Sequence, residues 1–436
     1  MNEHQVFLSD QSINGRTELA NSEGLIPEEQ LMAFALQRAK TAREAIKVAG
    51  SLAEQYGWGE SRSESWLVTD PNEAWHFEIY GSGADWTLDS GRLGALWVAQ
   101  RVPDDHVSVN CNRSMIGEID LDNPDYFMAS PNIFSLAEEM GWYDPEAGEP
   151  FIFHEVYAPK DRTIRHSRRE WRVFSLLAPS QNFSPWEKRY PFSVKPDEKV
   201  SAQDLMAIQR DFFEGTEFDL TKGMAAGPFG NPNPYFFPDS ILPEDLRGLT
   251  WERAISMPIA SYYSVSVARN WLPDPIGGLM WFGLDQTATS CPVPFYCGIT
   301  EVPESYNTGR RDIFDKDCAW WAFNFVSNWA NLKWSYMIKD INEARDYLQS
   351  DMFAMQPIIE ETALKLFQKD PSLATRYLTD YSVNTANKVV DHWWKLAETL
   401  IAKYDDGFIS GPEGDKSPGY PEWWLREVGY GEKYKY

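Results

Sequence analysis

Near residue 318 the apolar pattern of this chain changes period. Before it, short β-branched and aromatic runs lie between Pro, Gly and Asp turns; after it, apolar residues recur at helical spacing to about Tyr404. A leading helix, then mixed sheets, then a helical block point to an α+β protein with packed layers. The helices expected late in the chain are Ala319 to Trp329, Ile341 to Leu348, Gln356 to Gln368 and Ser372 to Lys403, with Pro357 and Pro371 as breaks. We read 1–317 as a mixed α/β region and 318–436 as a helical region packed on it within one domain.

The leading helix is expected from Pro27 to Tyr56, with Pro27 at its first position, Glu28 and Glu29 at the positive dipole end and Gly57 beyond its end. Strands are expected at Trp66–Val68 and Ala74–Ile79 around the turn Asp70-Pro71-Asn72-Glu73. Leu96–Arg101 and His106–Asn112 flank Val102-Pro103-Asp104-Asp105 in the same way. Further strands are read at Trp171–Leu177, Tyr262–Arg269, Leu279–Leu284 and Val293–Cys297, and one more helix at Ser201–Phe213.

Composition narrows the function. The net charge is −25, and a surface that acidic repels phosphate backbones and anionic lipid heads, so neither nucleic acid nor membrane is an expected partner. No run reaches the ~18 apolar residues of a membrane span, and the polar start Met1-Asn2-Glu3-His4 carries no signal peptide, which fits a cytoplasmic protein. The four cysteines form no Cys-x-x-Cys pair and read as buried thiols. The six histidines lack metal-ligand spacing, and glycine-rich nucleotide loops and the Gly-x-Ser-x-Gly elbow are missing, so no cofactor is expected. Nineteen Trp in a chain this acidic also suit a non-catalytic glycan- or peptide-binding protein, with Trp320-Trp321, Trp393-Trp394 and Trp423-Trp424 as stacking platforms. Adjacent helical residues point about 100° apart, however, and cannot form one flat platform.

Three stretches could hold chemistry. Alternation along His106–Asn112 puts His106, Ser108, Asn110 and Asn112 on one face and Val107, Val109 and Cys111 on the other. Amides on such a face can donate to a developing oxyanion, or the face is simply half-solvated. Cys111 then falls on the apolar side as a structural thiol. Glu118 and Asp120 share a second face, as a carboxylate pair or as a wet edge. The third stretch carries Glu214, Glu217 and Asp219 before Leu220-Thr221-Lys222-Gly223, then Gly227-Pro228-Phe229-Gly230, a loop shaped for a pocket wall or lid.

These residues resemble the bacterial dipeptidase A family of cysteine peptidases. The likeness rests on Glu214–Gly223, Ala226–Gly230, Trp75–Glu78, Val102–Asn110 with Arg113, Ile116–Asp120 and Ala319–Asn324, and it covers essentially the whole chain. It implies an N-terminal-nucleophile hydrolase with an αββα sandwich that cleaves dipeptides of broad side-chain type. It also implies that the first residue of the mature chain is a Cys, whose thiolate attacks while its own α-amino group, with an ordinary pKa of about 8, serves as base. Here position 1 is Met and no Cys, Ser or Thr lies within the first eight residues. The expectation is therefore an N-terminally incomplete sandwich, without the nucleophile strand and without activity of its own.

The resemblance also assigns roles. Asn110 and Asn112 become oxyanion or substrate-amide candidates. Arg113 and Arg269 become partners for a substrate carboxylate, each weighed against a structural ion pair. Glu217 or Asp219 would take the substrate ammonium. The implied partner is a dipeptide, and a homo-oligomer stays open.

Overall fold

The computed structural model describes residues 1–160, 163–233 and 239–432, and the chain divides into two compact units. The first comprises Met1–Ser201 with Ser266–Leu279; the second comprises Ala202–Val265 with Met280–Tyr436.

In the first unit the expected single helix from Pro27 is two helices, α1 (Glu28–Arg38) and α2 (Ala42–Tyr56). The break follows from Thr41, whose hydroxyl accepts from Glu44 N at 3.2 Å and so starts a new helix where a continuous one would leave that side chain idle. Beyond the end of α2, Gly57 sits at φ +80°. The buried face of α2 is nearly all small: Ala42, Ala45, Ala49, Gly50 and Ala53. That smallness permits close approach to the sheet, since a Cβ on Gly50 would lie 2.4 Å from the Trp97 ring.

The sheet has five strands in the order β1-β2-β3-β4-β6: β1 (Phe7–Ile13), β2 (Ser63–Thr69), β3 (Ala74–Gly81), β4 (Ala95–Val102) and β6 (Phe127–Ala129), all antiparallel. The β2–β3 turn is made by Asp70, whose Oδ1 accepts from Asn72 N (2.7 Å) and Glu73 N (2.9 Å). Its Oδ2 accepts from Ala42 N at 2.8 Å, so the same carboxylate caps α2. Both faces of the sheet are covered. Trp66, Phe77, Ile79 and Trp97 meet α1 and α2, while Tyr80, Leu96 and Val98 meet Ile116, Ile133 and the short helices α3 (Ser135–Glu139) and α4 (Phe153–Tyr157).

Two strand expectations are corrected here. Trp171–Leu177 is the second half of a helix, α5 (Ile164–Leu177), because the apolar positions continue a helical stripe begun by the charged turns before it. Of His106–Asn112, only Val107–Ser108 is a strand, β5, paired antiparallel with β7 (Ser193–Val194). The unit closes with α7 (Asp274–Gly277).

The second unit holds most of a sheet in the order β10-β9-β8, from β8 (Tyr262–Val267), β9 (Leu279–Leu284) and β10 (Val293–Tyr296). Its helices are α6 (Ala202–Ile208), α8 (Ala319–Ala330), α9 (Trp334–Lys369), α10 (Pro371–Lys403) and α11 (Glu422–Glu427). The expected helix Ser201–Phe213 is thus cut short at Ile208. Pro357 does not break α9, which runs through it for 36 residues. A proline inside a helix costs about 3 kcal/mol, and the long contact of α9 with α10 offsets it. Pro371 instead opens α10, where Asp370 accepts from Ser372 N at 2.9 Å. The paired tryptophans split between core and rim. Trp393 is buried against Phe323 (centroids 5.4 Å apart), while Trp394 donates to Lys316 O. Trp320 and Trp321 meet at 75°, and Trp423 and Trp424 at 88°, so neither pair offers one flat surface. Among the described residues no helix is long and apolar enough to cross a membrane.

The observed class is α+β, with antiparallel pairing in the large sheet and a helical C-terminal block.

Candidate functional site

Past Ser108 the chain leaves β5 and bends, and Asn110 makes the bend. Its Oδ1 accepts from the backbone N–H of Asn112 (2.9 Å) and Arg113 (3.4 Å). Its Nδ2 donates to Ser65 Oγ (2.8 Å) and Arg113 O (3.0 Å). Asn112 takes φ +64°, a left-handed conformation that asparagine tolerates. The alternation expected along this stretch is therefore lost, and Asn110 and Cys111 are equally buried at 7% exposure. Both amide protons of Asn110 are engaged, and none is left for an oxyanion in this geometry.

Asn112 is held as firmly. Its Nδ2 donates to Ser12 O (3.1 Å), and its Oδ1 accepts from Arg169 Nη1 (3.0 Å). Arg169 Nη2 also donates to Cys111 O at 2.8 Å. The next residue on α5 is Glu170, which receives Arg113 as a fork: Nε donates to Oε1 at 2.6 Å, Nη2 donates to Oε2, and Nη1 turns to Lys188 O. Arg113 and Glu170 are both fully buried. Arg113 is thus in a structural ion pair, the alternative weighed for it above.

Arg269 lies elsewhere in the same unit and serves the backbone. Its Nε donates to Gly277 O and its Nη2 to Ile276 O, both at 2.9 Å, which satisfies carbonyls at the end of α7. Gln5 brackets it, with Oε1 accepting from Arg269 N at 2.8 Å. Glu118 and Asp120 are exposed, on a wet edge.

Sequence reasoning missed two buried groups on β3. Glu78 accepts from Ser114 Oγ, from the N–H groups of Met115 (2.6 Å) and Ile116 (3.2 Å), and from Tyr80 OH (3.1 Å). His76 Nε2 lies 2.8 Å from Ser108 Oγ, which has the look of a nucleophile–base pair. It is not one. Ser108 donates its proton to Phe192 O, and burial drops the His76 pKa to about 4, leaving a neutral ring sealed from solvent. Both belong to Trp75-His76-Phe77-Glu78, and a charged residue inside an otherwise apolar strand was the available signal.

Glu217 and Asp219 belong to the second unit. Asp219 organises its own loop: Oδ1 accepts from Thr221 N (2.9 Å) and Thr221 Oγ1 (2.6 Å), and Oδ2 from Gly215 N (3.3 Å). Glu217 is exposed. Glu214 Oε2 accepts from Phe212 N at 2.6 Å, and burial raises its pKa. The loop's turns depend on glycine, Gly215, Gly223, Gly227 and Gly230 all having positive φ.

Three of the four cysteines are withdrawn from solvent, and Cys297 is half-buried. Cys111, Cys291 and Cys318 are buried, and burial pushes the Cys291 thiol up to about 12, away from the thiolate that attacks carbonyls. Among the described residues no group of His, Cys, Asp and Glu is arranged to hold a metal ion.

Comparison with known proteins then places the chain. A "Probable dipeptidase" from Latilactobacillus sakei is 26% identical over 298 residues, 68% of this chain and 55% of that protein. A "Probable dipeptidase" from Salmonella dublin is 28% identical over 294 residues, 66% of this chain and 59% of the relative. "Dipeptidase A" of Lactobacillus helveticus is 23% identical over 289 residues, 66% and 54% of the two chains. The chain thus spans little more than half the length of these relatives. The family model described as Peptidase family C69 matches residues 1–346, most of the chain, and the chain belongs to that family.

Proposed function

We propose that the protein hydrolyses dipeptides by thiol chemistry. The observation that carries this is the family match over residues 1–346, with relatives that bear dipeptidase names. In this reading a thiolate attacks the peptide carbonyl carbon, the C–N bond breaks, and the C-terminal amino acid leaves as its amine takes a proton. Water then cleaves the thioester and frees the N-terminal residue. The large antiparallel sheet, buried on both faces, is the feature that favours an αββα arrangement. Asn110, Asn112 and Arg113 then act as the rigid bend beneath the strands, and Arg269 as a backbone clamp. Glu217, exposed on the glycine-rich loop, offers a carboxylate for the substrate ammonium, and Asp219 holds that loop in shape. The tryptophan pairs, split between core and rim, give no support to a glycan-binding reading.

The test is hydrolysis of a dipeptide panel by the protein expressed from its complete reading frame, with free amino acids measured. Release that stops after iodoacetamide treatment is the expected result. Release unaffected by thiol reagents, or cleavage of longer peptides with dipeptides untouched, overturns the proposal.

A further inference from the structure

An acidic chain carries a conspicuously cationic hollow. In the second unit a cavity of about 320 Å3 is lined by Arg210, Lys222 and Arg345, with Phe212, Trp334 and Ile338 among the apolar residues of its wall. Arg210 and Arg345 come from distant parts of the sequence, just after α6 and on α9. Arg345 Nη1 donates to Ala288 O (3.1 Å), and its other nitrogens hold Asp346. Arg210 Nη2 donates to Gln349 Oε1 at 2.8 Å, while its buried Nε has no hydrogen-bond partner among the described residues. Burial, and then the facing Arg345, pull Arg210 below the usual guanidinium range. Lys222, exposed on the glycine-rich loop, makes no ion pair among the described residues.

Three cations therefore face two carboxylates, those of Asp346 and Glu214. Asp346 is already taken by Arg345, and of the two carboxylates only that of Glu214 lines the cavity. Two guanidinium groups drawn together without a full set of anions are a costly arrangement unless an oxyanion completes it. Part of the wall is aromatic, with Phe212 edge-on to Trp334 at a centroid distance of 5.5 Å. A bare phosphate would leave that wall uncovered.

We infer that this cavity binds a small carboxylate attached to an apolar or aromatic body, with Arg210, Arg345 and Lys222 receiving the carboxylate and Phe212 and Trp334 receiving the body. The site stands independently of dipeptide hydrolysis, and it is tested with probes that contain no cleavable peptide bond. The probes are hydrocinnamate, its uncharged carboxamide and inorganic phosphate, titrated calorimetrically into the whole protein. Hydrocinnamate should bind, and the carboxamide should bind at least about tenfold more weakly, a difference of about 1.4 kcal/mol. Arg210→Gln should weaken hydrocinnamate by a similar factor and leave the carboxamide unchanged. Lys222→Met, at an exposed position that the fold does not need, should weaken it by a smaller factor. Equal binding of acid and amide, no binding of the acid, or acid binding unchanged in Lys222→Met and Arg210→Gln would each overturn the inference. Phosphate binding as tightly as the acid would overturn the assignment of a carboxylate with an apolar body.

Discussion

Arg113 and Glu170 face each other as a two-pronged ion pair from which solvent is wholly excluded. Removing one partner strands the other's charge in the interior, which typically costs about 3–5 kcal/mol. Arg113→Met should therefore lower unfolding stability by about that amount in urea titration. Arg113→Met combined with Glu170→Met should recover most of the loss, since a well-packed apolar pair is close to neutral. A single variant as stable as the parent would show that water reaches the pair.

Asn110 predicts a stability effect rather than a rate effect. Asn110→Ala leaves the N–H groups of Asn112 and Arg113 without their acceptor and should cost about 1–3 kcal/mol. Asn110→Asp keeps that acceptor, loses the two donated bonds, and should fall between. Turnover per folded molecule should stay within a few-fold. A fall in kcat of about 10²–10³ with unchanged stability would instead identify Asn110 as an oxyanion donor.

The acidic patch where α1 meets β1 and β2 sets a pH dependence. Burial, then the charges of Glu64 and Asp10, raise Glu28 from 4.5 to about 8, against the opposing bond from Trp66 Nε1. Burial raises Glu64 to about 7, opposed by Ser12 and Arg62 and reinforced by Asp10 and Glu60. Both folded values lie above the unfolded ones, so this stabilisation is complete below pH 4.5 and is lost as pH rises through about 7 and 8. Urea midpoints should fall across that window. Glu28→Gln should flatten the upper part of the profile, and an unchanged slope in that variant would refute the assignment.

Pro357 stands exposed in the middle of α9, where its ring removes one helical hydrogen bond. Because the backbone is already helical there, Pro357→Ala should stabilise the protein by up to about 3 kcal/mol, read from the unfolding midpoint. A loss of stability would mean that the ring makes a packing contact worth more than the bond.

How much of this could be read in advance depended on how local each signal was. Strands β2 and β3 were legible because Asp70-Pro71-Asn72-Glu73 carries its own turn chemistry between two apolar runs. Trp171–Leu177 was misread because seven apolar-rich residues show no period of their own; only with Arg165–Glu170 does the helical stripe emerge. The bend at Asn110 hid behind Val107-Ser108-Val109, whose alternation runs on in the sequence after the strand has stopped. Asp219 lies in the glycine-rich loop that the sequence marks out, but its three accepted bonds depend on backbone conformation that composition does not reveal. Arg113 needed Glu170, and Arg210 needed Arg345. Neither pairing is adjacent in sequence, so no window on one member could announce the other.

The carboxylate of Asp70 closes the β2–β3 turn with one oxygen and receives the first amide of α2 with the other. A helix that slid along the sheet by one residue would have to abandon that oxygen, and a turn that shifted register would drag the helix start with it. A single acid thereby ties the alignment of the helix to that of the hairpin. Shape at the alanine face of α2, where Gly50 passes under Trp97, is then inherited from a choice made at the far end of the helix.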